Sequence, residues 1–137
     1  MQSKVDKIWK DMYNKAKKIV NEREISPFIY GGQVATVLMT DKGNFYSGIN
    51  IDALCDWGIC AERSAILDML KNNETNVVRV VTVDRTGEIR TPCGMCREAF
   101  MQLHKGGGEI EFLISAKTGE VVKLKELLPD WWGKDRF

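Results

Sequence analysis

Three of the four cysteines in this 137-residue chain are spaced for metal binding. Cys93 and Cys96 are three residues apart at the predicted start of one helix, and Cys60 opens another. Side chains three apart on a helix are neighbours, so these two sulfurs can converge on one ion. The positive end of a helix lowers the pKa of a thiol and favours the thiolate that a metal requires. Because thiolates suit zinc better than harder ions, we predict one Zn²⁺ per chain.

A carboxylate stands beside this predicted metal site. Glu62 follows Cys60 by two residues, in the first turn of the same helix. Three protein ligands leave the fourth position of zinc open, and zinc lowers the pKa of a water there. Glu62 can take the proton of that water and return it to a leaving group. Arg63 can offset the charge of three thiolates by hydrogen bonding to sulfur. The pattern predicts a zinc hydrolase.

Two other interpretations of the cysteines are open. If Cys55 also bound the metal, the closed four-cysteine site would be structural. Structural sites usually use two paired-cysteine segments and this chain has one, so we expect Cys55 to be a small buried apolar residue. A redox dithiol at Cys93 and Cys96 also suits a helix start, but it leaves Cys60 and Glu62 without a role.

Hydrophobic periodicity predicts the elements that position these residues. The predicted order is αββαβαββ. The helices are expected at 4–21, 60–72 and from Thr91 to about 105, and the strands at 34–40, 44–51, 77–84, 109–115 and 119–124. Thr91 is the predicted N-cap of the third helix, with Pro92 at its first position. The last connection is too short for a parallel crossover. We expect an α/β fold, a three-layer αβα sandwich with a mixed five-stranded sheet whose last two strands are antiparallel.

The length and the net charge of the protein restrict the functional classes to which it can belong. A chain of 137 residues indicates one domain over 1–137. Twenty basic residues balance nineteen acidic ones, which argues against a nucleic-acid polymer as partner. No apolar run reaches the ~20 residues of a membrane span, and the charged N-terminus lacks the apolar block of a secretory signal. We expect a cytoplasmic protein without a membrane partner.

The two cysteine segments resemble the zinc motifs of the cytidine deaminases. These segments read CAERSAI at 60–66 and PCGMCR at 92–97, and the family includes a three-cysteine variant with a non-ligand glutamate. The resemblance implies that Cys60, Cys93 and Cys96 bind zinc and that Glu62 carries protons. It also implies that the backbone N–H of Ala61 holds the base and that Arg63 supports the cysteines.

The same resemblance implies a cytidine deaminase-like fold and a homotetramer. The closing antiparallel hairpin resembles the branch of the family that acts on free nucleosides rather than on RNA or DNA. In the implied reaction, water adds to C4 of a cytosine ring and ammonia leaves.

The predicted sugar site departs from the family pattern. Asn50 and Asp52 share one face of a strand end, where the family has Asn-x-Glu-Asn. Asp52 is one methylene shorter than that glutamate. Both residues could instead cap the strand, since Asn and Asp favour turns. Phe28 resembles, on a loose alignment, the aromatic wall of the family pocket.

The C-terminal tryptophans are the remaining candidates for substrate binding. By family analogy, Trp131 or Trp132 reaches the base pocket of a neighbouring subunit. Alternatively, both pack on their own subunit, since two tryptophans in a tail usually indicate burial.

Three functions therefore stay open. The first is deamination of cytidine or deoxycytidine in pyrimidine salvage. The second is deamination of an aminonucleoside antibiotic, as in the blasticidin S deaminases, which alter the sugar site. The third is a non-catalytic, zinc-stabilised binding protein; Glu62 argues against it, because a structural site has no need of an acid–base carboxylate.

Overall fold

The computed structural model describes residues 5–137, which form a mixture of α-helices and β-strands. The elements are α1 (Lys7–Ile19), β1 (Arg23–Ser26), β2 (Ile29–Thr40), β3 (Phe45–Ala53), α2 (Ala61–Lys71), β4 (Val77–Asp84), α3 (Gly94–Gln102), β5 (Glu111–Leu113), β6 (Val121–Lys123) and α4 (Leu124–Leu127). A short 3₁₀ turn, Gly107–Glu109, precedes β5. Residue 4, the first of the predicted 4–21 helix, lies outside the described residues.

The strands form one mixed sheet in the order β3-β2-β4-β5-β6. Among the described strands only β4 and β5 pair in parallel, and α3 makes the crossover between them. The last two strands, β5 and β6, are antiparallel as predicted. A sixth strand, β1, was not predicted and pairs with the first residues of β2. Its sequence, REIS, is short, largely exposed and without the apolar alternation that indicates a strand.

Helices cover both faces of this sheet, which confirms the αβα sandwich. On one face α1 buries Trp9 and Met12 against Val37 of β2. On the other face α2 and α3 pack on the alternate strand residues, such as Leu38. Successive strand residues point to opposite faces, so β2 serves both cores. No helix from residue 5 onward combines the length and apolar character needed to cross a bilayer.

The third helix begins and ends at other residues than predicted. Its N-cap is Cys93, in extended conformation, so the prediction of Thr91 as N-cap and Pro92 as first helical residue is wrong. A residue before proline is pushed towards extended backbone, which keeps Thr91 out of the helix. The helix ends at Gln102 rather than near 105, because the N–H of Leu103 turns to the carbonyl of Phe100 in a tighter last turn.

A wide bulge interrupts the pairing of β2 with β3. Residues 32–34 of β2 stand opposite the single residue Asn50, between the pairs Gly31–Ile51 and Ala35–Ile49. Gly32 has a φ of +81°, and a Cβ there would lie 2.2 Å from the carbonyl oxygen of Asn21. Glycine is therefore required at the bulge.

Candidate active site

The N-termini of α2 and α3 bring three sulfurs together. Cys60 is the N-cap of α2, Cys93 is the N-cap of α3, and Cys96 lies in the first turn of α3. The sulfurs of Cys60 and Cys93 are 3.8 Å apart, those of Cys93 and Cys96 are 3.5 Å apart, and all three lie within 4.8 Å of one another. Tetrahedral zinc with Zn–S bonds of about 2.3 Å places its sulfurs about 3.8 Å apart. The cluster therefore has the dimensions of a three-thiolate zinc site.

Local electrostatics differ among the three thiols. Burial and the nearby Glu62 carboxylate raise the pKa of Cys96. Burial also acts on Cys93, but the backbone N–H of Cys96 and the neighbouring thiols outweigh it and lower the pKa of Cys93. A guanidinium nitrogen of Arg63 lies 3.6 Å from the sulfur of Cys60, where its charge favours thiolates.

Cys55 does not take part in the cluster. It is exposed, so the expectation of a buried apolar residue is wrong. Its loop follows β3 and carries other exposed side chains, which leaves the thiol facing solvent. The metal cluster found among the described residues contains three cysteines and not four, which favours an open site over a closed one. A simple dithiol would not explain the third sulfur at 3.8 Å from Cys93.

Glu62 lies almost entirely buried, with 5% of its surface exposed. Burial raises the pKa of its carboxyl group against the opposing effect of its own backbone N–H and of Cys96. The hydroxyl of Thr36 donates to Oε1 of Glu62 at 3.3 Å, and the hydroxyls of Thr36 and Thr82 are 2.7 Å apart. A raised pKa suits a group that must both accept and donate a proton.

Sequence reasoning missed the two threonines. Thr36 and Thr82 are directly paired across β2 and β4, and both are buried. The available signal was one threonine within the largely apolar stretch of each of the two strands. Because a buried hydroxyl needs a partner, such residues indicate a polar group above them.

The position of α2 on the sheet depends on close approach to β3. A Cβ on Gly48 would lie 2.5 Å from the backbone nitrogen of Ala65. Glycine at this position allows the helix to sit directly on the strand. The first turn of α2, which contains Ala61 and Glu62, is thereby held over the end of the sheet.

A cavity of about 540 Å³ opens above the cysteines, a volume typical of small-molecule sites. Cys60, Ala61 and Glu62 line it near the sulfur cluster. Asn50 and Asp52 line it from the end of β3. Further lining residues are Val34, Ile59, Arg63, Thr82, Arg90, Thr91 and Cys93.

Asn50 and Asp52 are joined through Gln33, which no motif in the sequence singles out. Gln33 donates from Nε2 to Oδ2 of Asp52 at 3.0 Å and accepts at Oε1 from Nδ2 of Asn50 at 2.7 Å. Oδ1 of Asn50 accepts from the backbone N–H of Val34 at 2.9 Å. Asn50 thus stabilises the bulge as well as facing the cavity. The only signal for Gln33 was its place immediately before a strand.

The three aromatic candidates lie away from this cavity. Phe28 is 66% exposed and lines a separate depression that it shares with Asp52. Trp131 packs against the core that contains α3, and Trp132 is 64% exposed. Both indole N–H groups donate to the carboxylate of Glu98, each at 2.9 Å. The two tryptophans therefore lie on α3 of their own chain.

Three clustered thiols, a buried carboxylate beside them and a cavity above them, all on an αβα sandwich, define the class of zinc hydrolases. A family model for the cytidine and deoxycytidylate deaminase zinc-binding region matches residues 9–107. The chain belongs to this family.

Individual relatives agree with this assignment. The chain is 36% identical to the cytidine deaminase of Mycoplasma pneumoniae over 128 residues, which cover 91% of this chain and 92% of that protein. It is 27% identical to the cytidine deaminase of Mycobacterium tuberculosis over 104 residues, 74% of each chain.

Solved structures show the same fold. The crystal structure of the M. tuberculosis cytidine deaminase matches with a TM-score of 0.75 at 23% identity, over 93% of this chain and 99% of that one. The cytidine deaminase of Bacillus anthracis matches with a TM-score of 0.68 at 25% identity, over 93% and 91%. The predicted family, the fold class, the zinc cofactor and the assignment as an enzyme are confirmed.

Proposed function

We propose that the chain deaminates a free cytosine nucleoside, converting cytidine or deoxycytidine to uridine or deoxyuridine and ammonia. The observation that carries this proposal is the position of Glu62. Its buried carboxylate adjoins the three sulfurs in a cavity whose far wall is formed by Asn50 and Asp52. The relatives named cytidine deaminase support the same reaction.

In the proposed reaction Glu62 moves protons between water and the ring. Zinc, when bound by the three cysteines, would supply an acidified water and polarise it for attack at C4. Glu62 takes one proton from the attacking water and delivers it to ring N3. It takes the second water proton and delivers it to the amine, which leaves as ammonia while the C4 carbonyl forms. Thr36 donates to Glu62 and holds the carboxylate in place.

Ala61 and Arg63 have supporting roles in this proposal. The backbone N–H of Ala61 belongs to the first turn of α2, where N–H groups have no helical partner. It lines the cavity and is placed to donate to the carbonyl oxygen of the base. Arg63 binds the sulfur of Cys60 and reduces the negative charge of the thiolates.

A nucleoside suits the cavity better than a nucleotide or a nucleic-acid polymer. Asp52 would repel a phosphate at the sugar end. The two arginines that line the described cavity already have partners, since Arg63 contacts Cys60 and Arg90 is paired with Asp84 at 2.8 Å. The net charge of +1 agrees with a small-molecule substrate.

The proposals on domain organisation, location and subunit number rest on the family and on the exposed apolar side chains. We propose one domain over 1–137, a cytoplasmic location and a homotetramer, with Trp131 or Trp132 contacting a neighbouring copy. Large apolar side chains are exposed close to the cavity or on the adjoining loop, such as Phe28, Leu54 and Trp57. Exposed apolar surface of this kind favours an interface. Light scattering on the zinc-loaded protein tests the subunit number, and a monomer would contradict it.

Ammonia release from the zinc-loaded protein tests the function, with each product identified by mass. The panel is cytidine, deoxycytidine, deoxycytidine 5′-monophosphate, cytosine and blasticidin S. We expect turnover of the first two and loss of activity with retained zinc in Glu62→Gln. Turnover of blasticidin S alone would establish the antibiotic branch instead, and inactivity on every compound would contradict an enzyme of this kind.

A further inference from the structure

Gln33 bridges the two residues at the sugar end of the cavity. Its amide nitrogen donates to Asp52 and its amide oxygen accepts from Asn50, at 3.0 and 2.7 Å. Asn50 and Asp52 are two apart on β3 and line the cavity, whereas Gln33 reaches them from β2. One neutral side chain therefore spans the gap between an amide and a carboxylate.

The backbone fixes the direction of this hydrogen-bond chain. The N–H of Val34 can only donate, so the group of Asn50 that faces it must be the oxygen. The amide nitrogen of Asn50 is then turned to the oxygen of Gln33, and the nitrogen of Gln33 is turned to Asp52. A reversal at any link would place two donors or two acceptors together. The bulge that frees Val34 for this contact depends on Gly32.

The polar groups that remain unpaired in this hydrogen-bond network define which ligand groups can bind there. One N–H of Asn50 and Oδ1 of Asp52, both on residues that line the cavity, have no hydrogen-bond partner among the described residues. A hydroxyl can accept from such an amide and donate to such a carboxylate, so two adjacent hydroxyls match the set. A dianionic phosphate only accepts and would face the negative charge of Asp52.

We infer that Gln33 is a positioning residue for recognition of the sugar hydroxyls. It holds the amide of Asn50 and the carboxylate of Asp52 in the orientation in which they bind a ribose, and it acts through them. This inference rests on the proposed nucleoside deamination and adds the residue that sets its preference for the hydroxylated sugar.

Kinetics on two nucleosides test this role. Cytidine carries both ring hydroxyls, and 2′,3′-dideoxycytidine carries neither. In Gln33→Met, which keeps the length and removes both hydrogen bonds, we expect kcat/KM for cytidine to fall about tenfold, mainly through KM. The value for dideoxycytidine should change less than about twofold, because no hydroxyl contact is there to lose. Gln102→Met is the matched control, since Gln102 also donates to a carboxylate but lies on α3.

A second variant and a binding measurement keep the test decisive if Gln33→Met folds poorly. Gln33→Glu retains the acceptor for Asn50 but places a second carboxylate beside Asp52, and should lower cytidine preference further. Calorimetric binding of both nucleosides to the inactive Glu62→Gln protein, with and without the Gln33 change, should show the same selective loss. An equal loss for both nucleosides, or no loss, would overturn the role of Gln33 while leaving deamination intact. Wild-type protein inert on cytidine would overturn both proposals.

Discussion

Thr36 and Thr82 face each other across adjacent strands, with their hydroxyls 2.7 Å apart beneath the carboxylate of Glu62. The next residues on the same strand face are Leu38 and Val80, which belong to the hydrophobic core beneath α2 and α3. Glu62 is therefore held by a polar pair at the edge of a hydrophobic core, and the pair restricts where the carboxylate can move.

Replacing Thr36 with valine should slow catalysis without removing zinc. The change keeps the side-chain shape and deletes the hydroxyl that donates to Glu62. We expect kcat to fall by about threefold to tenfold, since the lost bond is to a charged group but is long. Steady-state kinetics and metal analysis measure both quantities. Thr75→Val, an exposed loop position, is the control, and an equal loss of kcat there would contradict the role of Thr36.

Zinc content should depend on three cysteines and not on the fourth. Cys96→Ser should reduce bound zinc well below one per chain, because Cys96 is the buried member of the cluster. Cys55→Ser should retain the metal of the wild type. Elemental analysis after gel filtration gives the stoichiometry, and thermal unfolding with a chelator should show a lower Tm for the metal-free protein. Loss of zinc in Cys55→Ser would indicate a four-cysteine site.

Two hydrogen bonds from tyrosine to glutamate allow a matched comparison of their effects on protein stability. Tyr46 donates to Glu74, which is 7% exposed, whereas Tyr30 donates to the more accessible Glu22. Tyr46→Phe should lower the free energy of unfolding measurably, because a carboxylate shielded from solvent loses a partner. Tyr30→Phe should change the free energy of unfolding much less. Urea unfolding measures both, and equal effects would contradict the burial argument.

Acid should remove the contribution of Asp84 to stability. Hydrogen bonds from the Thr86 side chain and backbone, Arg90 and the Glu88 backbone outweigh burial and lower the pKa of Asp84 to about 2. A lowered pKa stabilises the folded state above the ordinary carboxyl pKa near 4, and this stabilisation is lost as the pH falls towards about 2. The Tm difference between wild type and Asp84→Asn should therefore be largest near neutral pH and shrink in acid.

The comparison is made at each pH, so that loss of zinc in acid affects both proteins and cancels in the difference. Asp41→Asn, at an exposed carboxylate that accepts from Asn76, is the control and should differ little from wild type throughout. A Tm difference for Asp84→Asn that stays constant down to pH 3 would show that charge is not its source.

The metal site was predictable because its signal is local. Cys60 and Glu62 are two residues apart, and Cys93 and Cys96 are three apart, so each pair is fixed by one helical turn. Hydrophobic periodicity likewise located β4 at 77–84 and the helices on both faces of the sheet.

The features that the sequence did not reveal depend on long-range pairing. Thr36 and Thr82 are 46 residues apart and meet only through the register of β2 and β4. Gln33 reaches Asn50 only because β2 bulges between Gly31 and Ala35. The number of residues in such a bulge cannot be read from the pattern of one strand. Phe28 was placed by a loose alignment, and the structure leaves it on the surface.

The N-cap of α2 and the N-cap of α3 are both predicted zinc ligands, Cys60 and Cys93. Neither helix N-terminus has a capping hydrogen bond from a side chain. Zinc bound to Cys60 and Cys93 would instead anchor the two helix starts through their sulfurs. Glu62 lies in the first turn of one of them, so metal occupancy and the order of the proton carrier are thermodynamically linked. Amide hydrogen exchange at 61–64 and 94–97 should accelerate together when zinc is removed, as one opening unit rather than two.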